Sequence, residues 1–312
     1  MTQQIARHGQ PLVVDEVGMT YGSGESAHEV LRGLSLRVDP GEFVCIVGPS
    51  GAGKTTLLRC LSGLLRPTAG SVRIGEQPVT QPLAEIAVVF QDYRGSLMPW
   101  MRVRDNVAFP LEGMGVKKAE RLERAQQSLE AVGLGDVGHK YPWQLSGGMQ
   151  QRVAIARAIA YRSPILLMDE PFGSVDAQAR FDLEDLALRL RRELDITVVV
   201  VTHDIDEAVY LSDRVVVVAG TPTSVVDDLT IDLGPERDQI ATRALPRFAE
   251  LRSRVLSEIR GERSPGHPAP DARPAPGTGP SASAAGAAPE GERRAEPRER
   301  SESTAETVHT SA

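Results

Sequence analysis

The residues Gly48-Pro49-Ser50-Gly51-Ala52-Gly53-Lys54-Thr55 fit a phosphate-binding spacing: a glycine, four free positions, then Gly-Lys-Thr. The glycines let the backbone bend until successive N–H groups point inward, the helix that follows adds the positive end of its dipole, and Lys54 adds a full charge. Together they form a cradle for a polyphosphate. Thr55 can set its hydroxyl on the Mg²⁺ that such a phosphate carries.

Three other groups could do chemistry. Asp169 and Glu170 close the apolar run Ile165-Leu166-Leu167-Met168, at a strand end where open α/β sheets bind their ligands. Asp169 suits a Mg²⁺-linked position and Glu170 a general base acting on water; both could instead simply cap the strand. His203 follows a second buried run, Thr197 to Val201, at the same kind of edge; its type and place fit a site residue or an ordinary hydrogen-bonded histidine. Ser146-Gly147-Gly148 precedes a helix and reads as a second anion site or as an N-cap. Tyr21 stands in a glycine-rich stretch without apolar periodicity, where it could stack on a purine or be half buried.

The elements that must carry these residues follow from hydrophobic period. Phe43–Val47 is an apolar strand, and Leu57, Leu58, Leu61, Leu64 and Leu65 recur at helical spacing, with Gly63 and Pro67 as stop signals nearby. Strands are expected at Leu12 to Val17 and Leu34 to Val38, with Tyr21-Gly22-Ser23-Gly24 in the loop between them, then at Ser71 to Ile74 and at Ile86 to Phe90. From Gly95 to Ala160 the period becomes helical, with helices expected at Val103 to Leu111 and Lys117 to Val132. A helix over Asp176 to Leu194, strands at Arg214 to Val218 and Ser224 to Asp232, and a helix from Glu236 to Arg260 complete the pattern. Alternating strands and helices with a helical insert predict an α/β fold with a mostly parallel sheet.

Composition bounds the rest. The chain has 312 residues, 41% hydrophobic and 25% charged, enough for one large domain with appendages. A net charge of −7 disfavours a general affinity for nucleic acid or anionic lipid. The two cysteines, Cys45 and Cys60, have no metal or redox spacing and read as core residues of a reducing compartment. No apolar run is long enough to span a membrane unaided, so a cytosolic chain is expected. Residues 261–312 are dominated by Pro, Ala, Gly, Ser, Glu and Arg and read as a disordered tail.

Leu145-Ser146-Gly147-Gly148-Met149-Gln150-Gln151-Arg152 resembles the signature of the ATP-binding subunits of ABC transporters. The resemblance runs from residue 11 to about residue 260 in the expected order, through Tyr21, the phosphate loop, Gln91, Asp169-Glu170, Ser174-Val175-Asp176 and His203. It implies a P-loop NTPase (RecA-like) core with an N-terminal antiparallel β part: one ATP-binding domain over 1–260, with its core at 11–94 and 161–233, a helical subdomain at 95–160 and a C-terminal helix at 234–260. It implies ATP and Mg²⁺ as cofactors. Tyr21 stacks on adenine; Gly48 to Thr56, including Ser50, Ala52 and Thr56, holds the phosphates with Lys54; Thr55, Gln91 and Asp169 organise Mg²⁺; Glu170 activates water; His203 contacts the γ-phosphate. Ser146, Gly147 and Gly148 close the site of a second copy, and Asp176 lies in the loop that follows Asp169-Glu170. The partners implied are a second subunit, a transmembrane permease and, through it, a solute-binding protein. The place implied is the cytoplasmic face of the membrane, held peripherally.

Leu97-Met98-Pro99-Trp100 and the short ending from Leu211 to Arg260 look like the nitrate/sulfonate/taurine importers. Three features depart from that pattern: a longer Gln91 to Trp100 segment, Val175 where leucine is common, and Thr221-Pro222-Thr223 where Arg-Pro-Gly is frequent. Asp92 to Trp100 is the segment expected to receive the permease. Three alternatives remain: an importer of another solute such as a vitamin precursor, a soluble ABC ATPase of DNA repair or translation, and a nucleotide kinase or other phosphate-loop enzyme. The soluble relatives usually carry two cassettes or a coiled-coil insertion, neither visible here, and a kinase leaves the signature unexplained.

Overall fold

The computed structural model describes residues 10–261. The tail reading of 261–312 thus lies, beyond Gly261, outside the described residues. Strands β1 (Leu12–Tyr21), β2 (His28–Val38) and β3 (Phe43–Val47) lead into α1 (Lys54–Leu61), followed by β4 (Ala69–Ile74), β5 (Gln77–Pro78) and β6 (Ile86–Val89). A helical stretch holds α2 (Tyr93–Ser96), α3 (Val103–Ala108), α4 (Pro110–Gly113), α5 (Lys118–Ala131) and α6 (Gly147–Ala160). Then come β7 (Ile165–Asp169), α7 (Ala177–Leu194), β8 (Thr197–Thr202), α8 (Ile205–Leu211), the hairpin of β9 (Arg214–Ala219) and β10 (Ser224–Thr230), and α9 (Pro246–Arg260).

The strands form a six-stranded sheet ordered β10-β9-β3-β8-β7-β6 and a four-stranded sheet ordered β2-β1-β4-β5. In the larger sheet β9, β3, β8, β7 and β6 run parallel and only β10 is antiparallel; the smaller sheet is antiparallel throughout. The parallel strands are apolar without interruption because both faces are covered. Successive side chains alternate: Phe43, Cys45 and Val47 join the core under α6, α7, α8 and α9. Val44 and Ile46 join Leu57, Leu58 and Leu61 of α1 against the antiparallel sheet. Burial of each such leucine contributes about 1.5–3 kcal/mol, so α1 is clamped between the two sheets with its first residue held at the sheet edge.

Register then fixes the site. Val47 pairs with Thr202, Asp169 with Val201, and Val89 with Met168, so β3, β8, β7 and β6 end at nearly the same level. Gly48, His203, Glu170 and Gln91 emerge from one carboxyl edge, where such sheets bind ligands.

The structure corrects several element bounds. Tyr21 is the last residue of β1, paired with His28, and not a loop residue; β2 is longer than its apolar part suggests, because β1 supplies partners along all of it. The helix expected over Val103 to Leu111 breaks after Ala108, since Pro110 has no N–H to donate and instead opens α4. The C-terminal helix begins at Pro246 rather than near residue 234. Asp238 Oδ1 takes the N–H groups of Ile240 and Ala241 at 2.9 and 2.7 Å, which makes a turn. Leu245, before a proline, is extended at φ −66° and ψ 134°. Within that turn region Arg243 reaches back to Glu184 at 2.7 Å and lies over the Tyr210 ring at 4.8 Å, tying the segment to α7 and α8.

One buried side chain organises the segment after Gln91. Asn106 is fully buried; its Oδ1 accepts the Met98 N–H at 2.8 Å, and its Nδ2 donates to the carbonyls of Met98, Met101 and Arg102 at 3.0, 3.1 and 3.2 Å. Asn106→Ala removes the partner of the Met98 N–H and of three carbonyls and is expected to cost about 2–3 kcal/mol, a fall in thermal midpoint of roughly 5 °C. Differential scanning calorimetry checks this.

Candidate functional site

The phosphate loop is held open by its own backbone. Gly51 and Gly53 take φ of 81° and 72°, a region that costs other residues about 1–2 kcal/mol. A Cβ on Gly48 would stand 2.3 Å from the Val218 carbonyl oxygen of β9, so only glycine fits there. Pro49, Ser50 and Gly51 face solvent while Ala52 is buried, which anchors one limb of the loop and leaves its tip open. Lys54 Nζ is almost wholly buried and donates to the carbonyls of Gly48 and Pro49 at 2.8 and 2.9 Å. Burial lowers its pKa, while Glu170 and Asp169 oppose that shift. The ammonium is thus placed with its charge only partly compensated, the condition that attracts an anion.

Around this loop stand the residues named from the sequence. Thr55 Oγ1 donates to Asp169 Oδ1 across 3.4 Å. Burial raises the Asp169 carboxyl above its ordinary range; the Thr55 hydrogen bond and Lys54 pull it back, and the neighbouring Glu170 adds to the rise. Glu170 has a left-handed backbone, φ 43°, with its N–H donated to the Val201 carbonyl at 2.8 Å. That conformation, costly for a glutamate, turns the carboxylate away from the strand line. Gln91 Nε2 donates to its Oε2 at 3.0 Å and His203 Nδ1 meets its Oε1 at 3.1 Å. Residues from β6, β7 and β8 therefore converge on one carboxylate. Tyr21 is partly exposed, and its hydroxyl lies 3.3 Å from Thr56 Oγ1, at the start of α1.

Other named residues are not gathered there within one chain. Ser146 is exposed; its Oγ accepts the Met149 N–H at 3.3 Å and caps α6. Gly148 approaches Ala179 of α7 closely, 3.1 Å from a virtual Cβ. Asp176 Oδ1 accepts the Ala179 N–H at 2.9 Å and caps α7. Gly147 begins α6. These residues sit together at the α6–α7 contact.

Two contacts had no sequence signal. Arg157 of α6 donates to the Ser96 carbonyl at 2.6 Å and to its Oγ at 2.7 Å, joining the segment after Gln91 to the helix that Ser146 caps. Thr202, Asp204, Glu207 and Arg180 form a second network beside His203. Each link spans distant parts of the chain or a helix turn with no recognisable motif.

The donor set fits Mg²⁺. The Thr55 hydroxyl, the Asp169 carboxylate and the Gln91 amide offer hard oxygen donors, the kind that this cation takes. No helix among the described residues is long and apolar enough to cross a membrane.

Residues 31–173 match the family model described as ABC transporter. The chain is 44% identical over 256 residues to the taurine import ATP-binding protein of Chromobacterium violaceum, covering 81% of this chain and 97% of that one. It is 41% identical over 245 residues to the nitrate import ATP-binding protein of Synechococcus elongatus, covering 78% and 89%. A solved dimeric, post-hydrolysis structure of an ATP-binding cassette with ADP and phosphate superposes with a TM-score of 0.63 at 34% identity, covering 70% of this chain and 98% of that one. With relatives so similar over nearly their whole length, a P-loop fold, and a carboxylate set beside the phosphate loop, this chain belongs to the ABC transporter family and is one of its ATP-hydrolysing, ATP-binding subunits.

Proposed function

We propose that the protein powers uptake of a small anion of the taurine, sulfonate or nitrate type, as a homodimer on the cytoplasmic face of the membrane beneath a transmembrane permease that a solute-binding protein feeds. The observation that carries the catalytic half is Glu170 held between Gln91 and His203 beside the phosphate loop. Lys54 and the amides of Gly48 to Thr56 hold the phosphates of ATP, and Tyr21 takes the adenine. Thr55, Asp169 and Gln91 would hold Mg²⁺, which would neutralise phosphate charge when bound. Glu170 takes a proton from water as it attacks the γ-phosphorus, the bond to the ADP oxygen breaks, and His203 keeps the carboxylate aimed.

Ser146 and Gly148 serve a second copy in this reading. Their place on α6, capped and packed on α7, leaves the helix N-terminus facing outward, and the similar cassette of known structure is a dimer. The residues from Asp92 to Trp100, braced by Asn106 and tied to α6 through Arg157, receive the permease, and through Gln91 they move with the γ-phosphate.

Purification of the tagged chain from membranes in mild detergent is expected to bring down a multi-spanning permease. Recovery of the chain without one would overturn the transport half. Assay of the accompanying binding protein against taurine, other sulfonates, nitrate and vitamin precursors identifies the solute.

A further inference from the structure

His203 is the single residue between two anchors. Before it, Thr202 ends β8 with its side chain buried; after it, Asp204 caps α8. The imidazole itself is half exposed, with Glu170 as its polar contact at 3.1 Å. Its direction therefore depends on how the flanking residues are held. Thr202 Oγ1 accepts the Asp204 N–H at 3.0 Å and donates to Glu207 Oε2 at 2.7 Å. Asp204 Oδ1 accepts the N–H groups of Asp206 and Glu207 at 2.9 and 3.1 Å. Arg180 of α7 donates to Asp204 Oδ2 at 3.2 Å and stands 3.8 Å from Glu207 Oε1. Both anchors of His203 thus lead to Glu207, a buried carboxylate.

We propose that Glu207 is a positioning residue for His203, setting the imidazole against Glu170 through Thr202 and Asp204 according to whether its own carboxyl carries a proton. Ionised, Glu207 compels the Thr202 hydroxyl to donate to it and shares Arg180 with Asp204. Protonated, it can donate to Thr202 Oγ1 instead, and Arg180 is left with Asp204 as its carboxylate partner, which draws the helix cap toward α7. The residue between the anchors turns with them.

Burial is the largest influence on Glu207 and raises its pKa to about 7; the Thr202 hydrogen bond and Arg180 lower it, while Asp204 and Glu184 of α7 raise it. α8 packs on β3 and β9, whose Phe43, Val47, Val215 and Val217 belong to the apolar core, and the Cys45 thiol of β3 is neutral, pushed well up by burial and by Glu207. Arg243 is engaged with Glu184, and Arg252 of α9 pairs with Asp206 at 3.1 Å. Because the folded chain holds this proton more tightly than the unfolded one, stability from it is full below pH 4.5 and is lost as pH rises toward about 7.

This inference rests on the catalytic reading of His203, and the experiment separates the two. ATP turnover of the full-length chain is measured for wild type and Glu207→Gln from about pH 6 to pH 8. The ratio of the two kcat values is taken at each pH, which divides out the influence of groups that the two proteins share. The ratio is expected to change about threefold or more in a step near pH 7, with KM for ATP altered less than about twofold. Thr202→Ser should keep the wild-type step and Thr202→Val lose it. A flat ratio, whatever its level, means that Glu207 only supports the fold and overturns the proposal; so does a step that survives in Thr202→Val. Should Glu207→Gln not fold, the midpoint of a ¹³C-labelled Glu207 carboxyl in wild type decides, and a midpoint below about 5 overturns the proposal. His203→Ala hydrolysing ATP at the wild-type rate would instead remove the catalytic reading itself.

Discussion

Glu170→Gln is expected to stop ATP turnover while leaving ATP bound. The substitution keeps the size and the left-handed backbone of the residue, so the β7 end and its hydrogen bond to Val201 are preserved. What is lost is the base. An amide cannot take a proton from water, and loss of a positioned general base lowers turnover by about 10²–10⁴-fold. One polar contact also weakens, because the amide cannot accept from both Gln91 Nε2 and His203 Nδ1 in the way two carboxylate oxygens do. ATP binding depends on Lys54 and the loop amides and should stay within a few-fold of wild type. With ATP retained, the variant should elute as a dimer in size-exclusion chromatography. Turnover close to wild type would take Glu170 out of the role of base.

The second large effect concerns Lys54. Its ammonium is buried, donates to two carbonyls of the loop it serves, and has its pKa lowered chiefly by that burial. A polyphosphate in the loop replaces those carbonyls with charged acceptors. Charge-assisted hydrogen bonds contribute about 1.5–3 kcal/mol each, so Lys54→Ala should weaken ATP binding by about 10²-fold or more. Folding should be less affected, since the variant removes an incompletely compensated buried charge while stranding the Gly48 and Pro49 carbonyls, and these two changes oppose each other. Fluorescent-nucleotide titration beside a thermal melt separates the two quantities. An unchanged affinity would remove Lys54 from the cradle.

Glu170 also marks the boundary of sequence reading. That a carboxylate pair ends an apolar strand is visible in Ile165 to Glu170. That the second carboxylate swings into a left-handed conformation, between a glutamine from β6 and a histidine from β8, is not visible, because it depends on which strands neighbour β7 and in what register. Tyr21 makes the same point at a smaller scale. Its flanking glycines predict a loop, but pairing with His28 carries β1 through it. At the C-terminal end, leucine and isoleucine spacing predicts one long helix. The turn at Asp238 and the extended residue before Pro246 win locally, and Arg243 then fastens that turn to Glu184.

The sequence alone determined what needs only neighbours along the chain: the Gly48–Thr55 cradle with its strand and helix, the uninterrupted apolar strands of a sheet covered on both faces, and the residue types able to hold or hydrolyse a phosphoanhydride. Contiguous residues settle these through backbone conformation and period. The tertiary structure decided the rest: the common level of four strand ends, the close approach of Gly48 to Val218, the meeting of Gln91 and His203 on Glu170, and the Thr202–Glu207–Arg180 bracket beside that histidine. Each of these joins residues far apart in the chain or on different elements. Their geometry is set by packing two sheets around α1 and not by any local preference.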